Sequence, residues 1–144
     1  MSNEEEVRRA ATVLDSQRAQ LESLARQEEI LQYSLEELLR ARETVSSARQ
    51  AGKGTEALVP VGAGAFLFMN VKESDKALMS IGSDLVLEEN VDKVLEKLDA
   101  RVKEIEEAST ILSEKISDLD DRVRVQARFV QDLYDRAKKV APGA

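Results

Sequence analysis

The sequence predicts an α+β protein in which a long antiparallel coiled-coil helical hairpin carries two β-hairpins inserted between its helices. Heptad-patterned segments of nearly equal length lie at both ends of the 144-residue chain, and a segment rich in glycine and β-branched residues lies between them. Charged residues make up 34% of the chain and aromatic residues only 3%, which is typical of long solvated helices. We therefore divide the chain into residues 1–52, 53–89 and 90–141.

The first segment, from Asn3 to Gln50, carries an apolar seam at alternating spacings of three and four residues. The seam positions are Val7, Ala10, Leu14, Gln17, Leu21, Leu24, Glu28, Leu31, Leu35, Leu38, Arg42 and Val45. Most of them are apolar, and a seam sustained over this many heptads indicates a coiled coil. Ser2 or Asn3 is placed to cap the helix, and Gly52 and Gly54 are placed to end it.

The third segment, from Val91 to Val140, has a second seam of the same kind. Its positions are Val91, Leu95, Leu98, Val102, Ile105, Ser109, Leu112, Ile116, Leu119, Val123, Gln126, Val130, Leu133, Ala137 and Val140. Asn90 is a good N-cap, and Pro142 and Gly143 follow the predicted end. A helix with one apolar seam must bury it, and the simplest partner is the other helix, folded back antiparallel.

The middle segment contains short apolar runs separated by turn signals, which predict β-strands. Four strands are predicted, at Ala57–Val61, Ala65–Val71, Ala77–Ile81 and Leu85–Glu88. Pro60 has no amide hydrogen to donate, so the first strand is expected to be irregular there or to lie at an edge. The second strand is apolar on both faces, and since one chain cannot cover both, the pattern implies contact with other subunits.

The overall charge and the residue types that are absent exclude several classes of protein. The formal net charge is −7 and the sequence contains no Cys and no His. A nucleic-acid-binding protein usually carries the opposite charge, because it must neutralise phosphates. No apolar run is long enough to cross a bilayer, and the acidic N-terminus does not resemble a secretory signal. We expect a cytoplasmic protein that binds neither nucleic acid nor membrane.

Two motifs could carry chemistry, and each has a plainer explanation. The run Val61–Ala65 contains Gly-Ala-Gly, but a strand follows it where a phosphate-binding loop needs a helix, so it predicts a hairpin turn. Asp118, Asp120 and Asp121 lie inside an uninterrupted heptad pattern, which predicts a solvated helix face and excludes an EF-hand loop. We therefore expect no enzyme activity, no cofactor and no metal site.

Apolar side chains also accumulate where the chain ends are predicted to meet. Phe129 and Tyr134 each lie one step beyond a seam residue, which widens the apolar stripe and leaves these side chains partly exposed in a two-stranded coil. An exposed aromatic patch often marks a binding site. Two interpretations of these residues remain open: they bind a partner, or they are exposed apolar residues without a binding role.

The middle segment closely resembles the paired β-hairpin region of the alpha-type subunits of archaeal prefoldins. The matching pieces are LVPVGAGAF at Leu58–Phe66, KESDK at Lys72–Lys76 and ALMSIGSDLVLEEN at Ala77–Asn90. The flanking helices match the family's layout over the whole chain. The alpha type is indicated by the two hairpins, since the similar beta-type subunits carry one.

This resemblance implies an ATP-independent chaperone that captures unfolded proteins with its coiled-coil tips and delivers them to a group II chaperonin. It also implies a hexamer of two alpha and four beta subunits, whose hairpins form a β-barrel platform. The candidate client-binding residues, chosen by their position and hydrophobicity, are Val7, Ala11, Leu14, Phe129, Val130, Leu133 and Tyr134. The candidate interface residues are Leu58, Val59, Phe66, Phe68, Leu78, Ile81 and Leu85. The alternative is a structural or filament-forming coiled-coil scaffold protein. The mass of the protein in solution would distinguish this scaffold from the chaperone.

Overall fold

The computed structural model describes residues 2–140 and has the predicted order of elements. They are α1 (Asn3–Ala51), β1 (Glu56–Gly62), β2 (Ala65–Asn70), β3 (Lys76–Gly82), β4 (Leu85–Asn90) and α2 (Val91–Val140). The fold class is therefore confirmed, with strand ends that differ by at most two residues from the prediction. The predicted helix stop at Pro142 and Gly143 lies outside the described residues, as does residue 141.

Both helices begin at the caps that the sequence predicts. Ser2 Oγ accepts a hydrogen bond from the Glu5 amide at 3.3 Å, and Asn90 Oδ1 accepts one from the Lys93 amide at 2.8 Å. Each bond satisfies a donor that the first turn of a helix would otherwise leave free. At the other end of α1, Gly52 has a φ of +85°, which a side chain would disfavour.

The two seams are the buried stripes of the two helices. Every described seam side chain is buried or half-buried except those of Glu28 and Arg42, which are exposed. These are the two charged members of the α1 seam, so their exposure avoids burying a charge without a partner. The helices form the two arms of an antiparallel hairpin, as predicted.

The chain divides into two compact units, and both helices contribute to each. The first unit joins α1, through Gln32, to the part of α2 that starts at Glu107. Its buried side chains are Ala10, Leu14, Leu112 and Leu119. Gln126 Nε2 donates to the Ala10 carbonyl oxygen at 2.9 Å. The start of α1 therefore pairs with the end of α2 in this unit.

The second unit, Tyr33–Glu106, contains both β-hairpins and the adjoining parts of the helices. Its buried cluster is formed by Met79, Val94 and Leu98, with Leu38, Ala41 and Ala77 packed against them. Ion pairs join Arg42 to Asp99 and Arg49 to Asp92, from α1 to α2. The second hairpin, which supplies Met79, is thus packed on both helices.

The two hairpins are separate two-stranded sheets with the same internal register, twenty residues apart. Both have a register shift just before the turn, between Pro60 and Gly62 and between Ser80 and Gly82. The first shift follows Pro60, where irregularity was expected, but the second follows Ser80, so a missing amide hydrogen is not required for it. The turn residues that follow have positive φ angles, including 52° at Ala63 and at Ser83, as in the type I′ turns that suit a two-residue hairpin loop.

Candidate functional site

The first hairpin, β1–β2, exposes apolar side chains on both faces. Leu58 pairs with Phe68 on one face, and Val59 pairs with Leu67 on the other. All four side chains are exposed, and Phe68 retains 76% of its accessible surface. A two-stranded hairpin is at best marginally stable in water without a covering layer. The first hairpin therefore presents an apolar surface that the described residues leave largely exposed.

The second hairpin, β3–β4, is covered on one face only. Met79 is buried against the helices, whereas Leu78 on the opposite face is exposed, as are Ile81 and Leu85 near the turn. Together with the first hairpin, all seven predicted interface residues are exposed in the single chain. Neighbouring apolar residues of this size are uncommon on the surface of a protein that acts alone.

A first apolar groove lies where the start of α1 meets the end of α2. We call the paired ends, residues 2–14 of α1 and residues 126–139 of α2, the tip. The groove has a volume of about 530 Å³. It is lined by Glu6, Arg9, Ala10, Val13, Gln126, Phe129, Leu133 and Arg136. Phe129 is 50% exposed, so part of its ring faces solvent.

A second groove lies at the tip, with a volume of about 580 Å³. It is lined by Glu4, Val7, Arg8, Tyr134, Ala137 and Lys138. Phe129 and Tyr134 are five positions apart on α2, so they point about 140° apart around the helix. The two grooves therefore lie on opposite sides of the seam, each with one aromatic side chain.

The predicted client-binding residues fall into three groups. Phe129 and Leu133 line the first groove, and Val7 and Tyr134 line the second. The remaining three are Ala11, Leu14 and Val130, which line neither groove. Leu14 is only 7% exposed, so it packs between the helices instead of offering a contact surface, and it is not available as the prediction requires.

Sequence reasoning missed one large apolar member of the first groove. Val13 is exposed and lies beside Ala10 in the groove lining. Like Phe129, it lies one position away from a seam residue, which is the signal that could have identified it. The stripe is therefore widened on α1 as well as on α2.

One carboxylate of the Asp118, Asp120 and Asp121 cluster takes part in an ion pair. Asp120 pairs with Arg124 one turn later at 3.0 Å, on an exposed face. Among residues 2–140, no group of three or more acidic side chains is placed to hold a metal ion. In the same range, neither helix has an apolar stretch long enough to span a bilayer.

The family is decided by a comparison with known protein families. The model of the family described as "Prefoldin subunit" matches residues 17–135, which include both hairpins and most of both helices. This chain belongs to the prefoldin family. Prefoldins are chaperones without enzymatic activity, so the chain is a chaperone subunit, and the expectation that it is not an enzyme is confirmed by its family.

Similar prefoldin subunits cover nearly the whole chain. The alpha subunit from Archaeoglobus fulgidus is 33% identical over 96% of this chain and 99% of its own length. The alpha subunit from Pyrococcus horikoshii is 29% identical over 93% of this chain and 91% of its own. These matches confirm the alpha type that the two hairpins indicated.

A solved prefoldin structure has the same fold. A filamentous prefoldin from Methanocaldococcus jannaschii, determined by cryo-EM, superposes with a TM-score of 0.68. The match covers 82% of this chain and 98% of that chain, at 24% sequence identity. At this identity the likeness establishes the prefoldin fold and nothing more specific.

Proposed function

We propose that this prefoldin subunit captures unfolded proteins in the two grooves of its tip, without ATP, and passes them to a group II chaperonin. The observation that carries the proposal is the pair of apolar grooves, each with a half-exposed aromatic side chain, Phe129 or Tyr134. An unfolded chain exposes scattered apolar groups, and such grooves offer matching surface. The proposal includes the cytoplasm as the place of action, where newly made chains are found unfolded.

Shallow grooves suffice for capture if several subunits act on one client. Each later contact is then intramolecular and benefits from a high effective concentration. Two grooves on opposite sides of the seam let one tip contact a client from more than one direction. A chaperone of this kind needs only mass action, because binding an unfolded chain removes it from the pool that aggregates.

The proposal also includes assembly with beta subunits, as a hexamer of two alpha and four beta chains whose hairpins form a β-barrel platform. The exposed apolar faces of the first hairpin, which include Leu58, Phe66 and Phe68, support it. Burial of apolar surface yields about 25 cal/mol per Å², so covering both hairpins is a strong drive toward assembly. Partner subunits are the simplest cover, because among the described residues the helices pack on Ala77 and Met79 of the second hairpin and leave Leu58, Phe66 and Phe68 of the first hairpin exposed.

Aggregation of a denatured client, followed by light scattering, tests capture at the tip. We expect Phe129→Ser combined with Tyr134→Ser to weaken suppression several-fold, since each substitution removes the aromatic side chain of one groove. A deletion through Val7 and back to Tyr134 should abolish suppression. The matched control is Ile30→Ser with Val125→Ser, which changes exposed apolar residues of the same helices outside both grooves.

Two results would move the capture site elsewhere. The first is a truncated assembly that holds a denatured client as well as the full-length one does. The second is a control variant that loses as much suppression as the double groove variant. In either case the surface of the hairpin platform becomes the better candidate. Circular dichroism should show that the truncated arms stay helical, because their central seams still pair.

A filament-forming scaffold is the second candidate function. The prefoldin of Methanocaldococcus jannaschii that shares this fold is filamentous, and two uncovered hairpins give this chain a means of joining copies of itself. Light scattering on the purified chain, with and without its beta subunit, separates the two functions. A defined mass that depends on the beta subunit supports the chaperone, and a mass that grows with concentration supports the filament.

A further inference from the structure

The two grooves of the tip carry positive charge at their rims, although the chain as a whole is acidic. The first groove is lined by Arg9 and Arg136 with one acid, Glu6. The second is lined by Arg8 and Lys138 with one acid, Glu4. Each lining therefore has a charge of +1, whereas the whole chain has a net charge of −7.

These four cations are free to meet a ligand. All four residues are exposed, and within residues 2–140 none of them takes part in an ion pair. Elsewhere on the helices the described ion pairs use cations such as Arg42, Arg49 and Lys97. The helix dipole accounts for cations in the last turn of α2, where Lys138 lies. It does not account for Arg8 and Arg9, which lie beyond the first turn of α1.

We propose that the grooves select a particular class of client segment, an apolar residue or short apolar run flanked by Asp or Glu. This inference rests on the proposed function, capture of unfolded chains at the tip. The apolar floor, with Val13, Phe129 and Leu133 in one groove and Val7 and Tyr134 in the other, takes the apolar side chain. The rim cations then lie beside the flanking carboxylates.

The positive charge at the rims favours segments flanked by acidic residues over segments flanked by basic ones. Exposed ion pairs contribute roughly 1.4-fold to 5-fold each in affinity, so two pairs in one groove give a measurable preference. A segment flanked by lysines meets the same cations and is repelled. The charge contribution is screened over about 10 Å at 0.1 M salt, whereas contact with the apolar floor is not.

Three fluorescent peptides test the preference on the full-length protein in its assembly. They share one apolar core and differ only in flanking residues, which are aspartate, serine or lysine. Fluorescence anisotropy should give the order aspartate, serine, lysine from tight to weak, with about fivefold between neighbours at low salt. The differences should shrink at 0.5 M salt, while the affinity of the serine peptide holds or rises.

Charge variants assign the preference to the groove. Arg9→Gln with Arg136→Gln removes both cations of the first groove, and we expect the aspartate peptide to bind about threefold to tenfold more weakly. The matched control, Arg18→Gln with Arg26→Gln, removes the same charge from exposed positions of α1 outside the grooves. It should leave the affinity unchanged, since its cations lie beyond contact with the bound peptide.

The outcomes separate this inference from the proposed function. If all three peptides bind equally and Phe129→Ser weakens them all, capture at the tip stands and the charge preference is wrong. If no peptide binds and no client is protected, both are wrong. A single-stranded oligonucleotide is the last ligand to be tested. If it binds in preference to the aspartate peptide and loses binding in the groove variant, the rim is a nucleic-acid site and the inference is overturned.

Discussion

Glu89 in β4 and Lys97 in α2 form an ion pair in which Glu89 Oε1 lies 2.5 Å from Lys97 Nζ. The Glu89 side chain is only 9% exposed, and its second oxygen, Oε2, has no hydrogen-bond partner among the described residues. The pair ties the second hairpin to α2. At the equivalent position of the first hairpin, twenty residues earlier, stands Met69, which is exposed.

Removing the lysine from this pair should cost more than removing both charges. Lys97→Met leaves the Glu89 carboxylate buried without a cation, and we expect a loss of about 2–3 kcal/mol in the free energy of unfolding. Adding Glu89→Met should recover most of that loss, because an apolar pair needs no compensation. Urea denaturation of both variants measures the difference. Equal losses would mean that water already compensates the carboxylate.

Phe68→Asp should release free subunits from the assembly. The substitution places a charge on the most exposed apolar face of the first hairpin, and burying that charge in an interface would be strongly unfavourable. Mass from light scattering after gel filtration should fall. Val125→Asp is the control, because Val125 is 70% exposed but lies on α2, and it should keep the full mass. An unchanged mass for Phe68→Asp would place the interface elsewhere.

The two glutamines of the seams should respond differently to leucine. Gln17 Oε1 is buried without a hydrogen-bond partner in the part of the chain that the structure describes, so Gln17→Leu removes an unsatisfied group and adds apolar burial, for an expected gain of about 1–2 kcal/mol. Gln126→Leu loses the bond to the Ala10 carbonyl and should gain less. Thermal unfolding followed by circular dichroism compares them. A larger gain for Gln126→Leu would contradict this assignment of the two amides.

The first hairpin turn should be strengthened by Ala63→Asn. Ala63 has a φ of 52°, which costs an alanine about 1 kcal/mol and suits asparagine better. We expect slower amide hydrogen exchange across residues 56–70. Ala65→Asn, at the first residue of β2 and without a positive φ, is the control and should not slow exchange. Unchanged exchange in the Ala63 variant would mean that contacts outside the turn hold the hairpin closed.

Helix pairing and strand order could be predicted because their signals are local. The seam in α1 is a spacing of apolar residues that one can count, and every strand is bounded by turn residues. The partial exposure of Phe129 and Tyr134 was predicted by the same reasoning, since each lies one step from a seam position. What periodicity predicts is the stripe that each helix turns toward its partner.

Other features depend on how the paired elements face each other. The two grooves are formed by both helices, so their sides and linings follow from the pairing register, which the seam alone leaves undetermined. Burial of Leu14 and exposure of Val13 depend on the same register. The pairing of Glu89 with Lys97 joins two elements in a geometry that no spacing rule specifies.

The repeated hairpin register gives the chain two copies of one structural module. If each hairpin accepts one neighbour, a subunit with a single hairpin can only terminate a row, whereas this subunit can stand inside one. The copies have also diverged, since Glu89 anchors the second hairpin to α2 and Met69 gives the first hairpin no such anchor. The second hairpin would then hold its neighbour rigidly, whereas the first hairpin would let its neighbour move more relative to the helices.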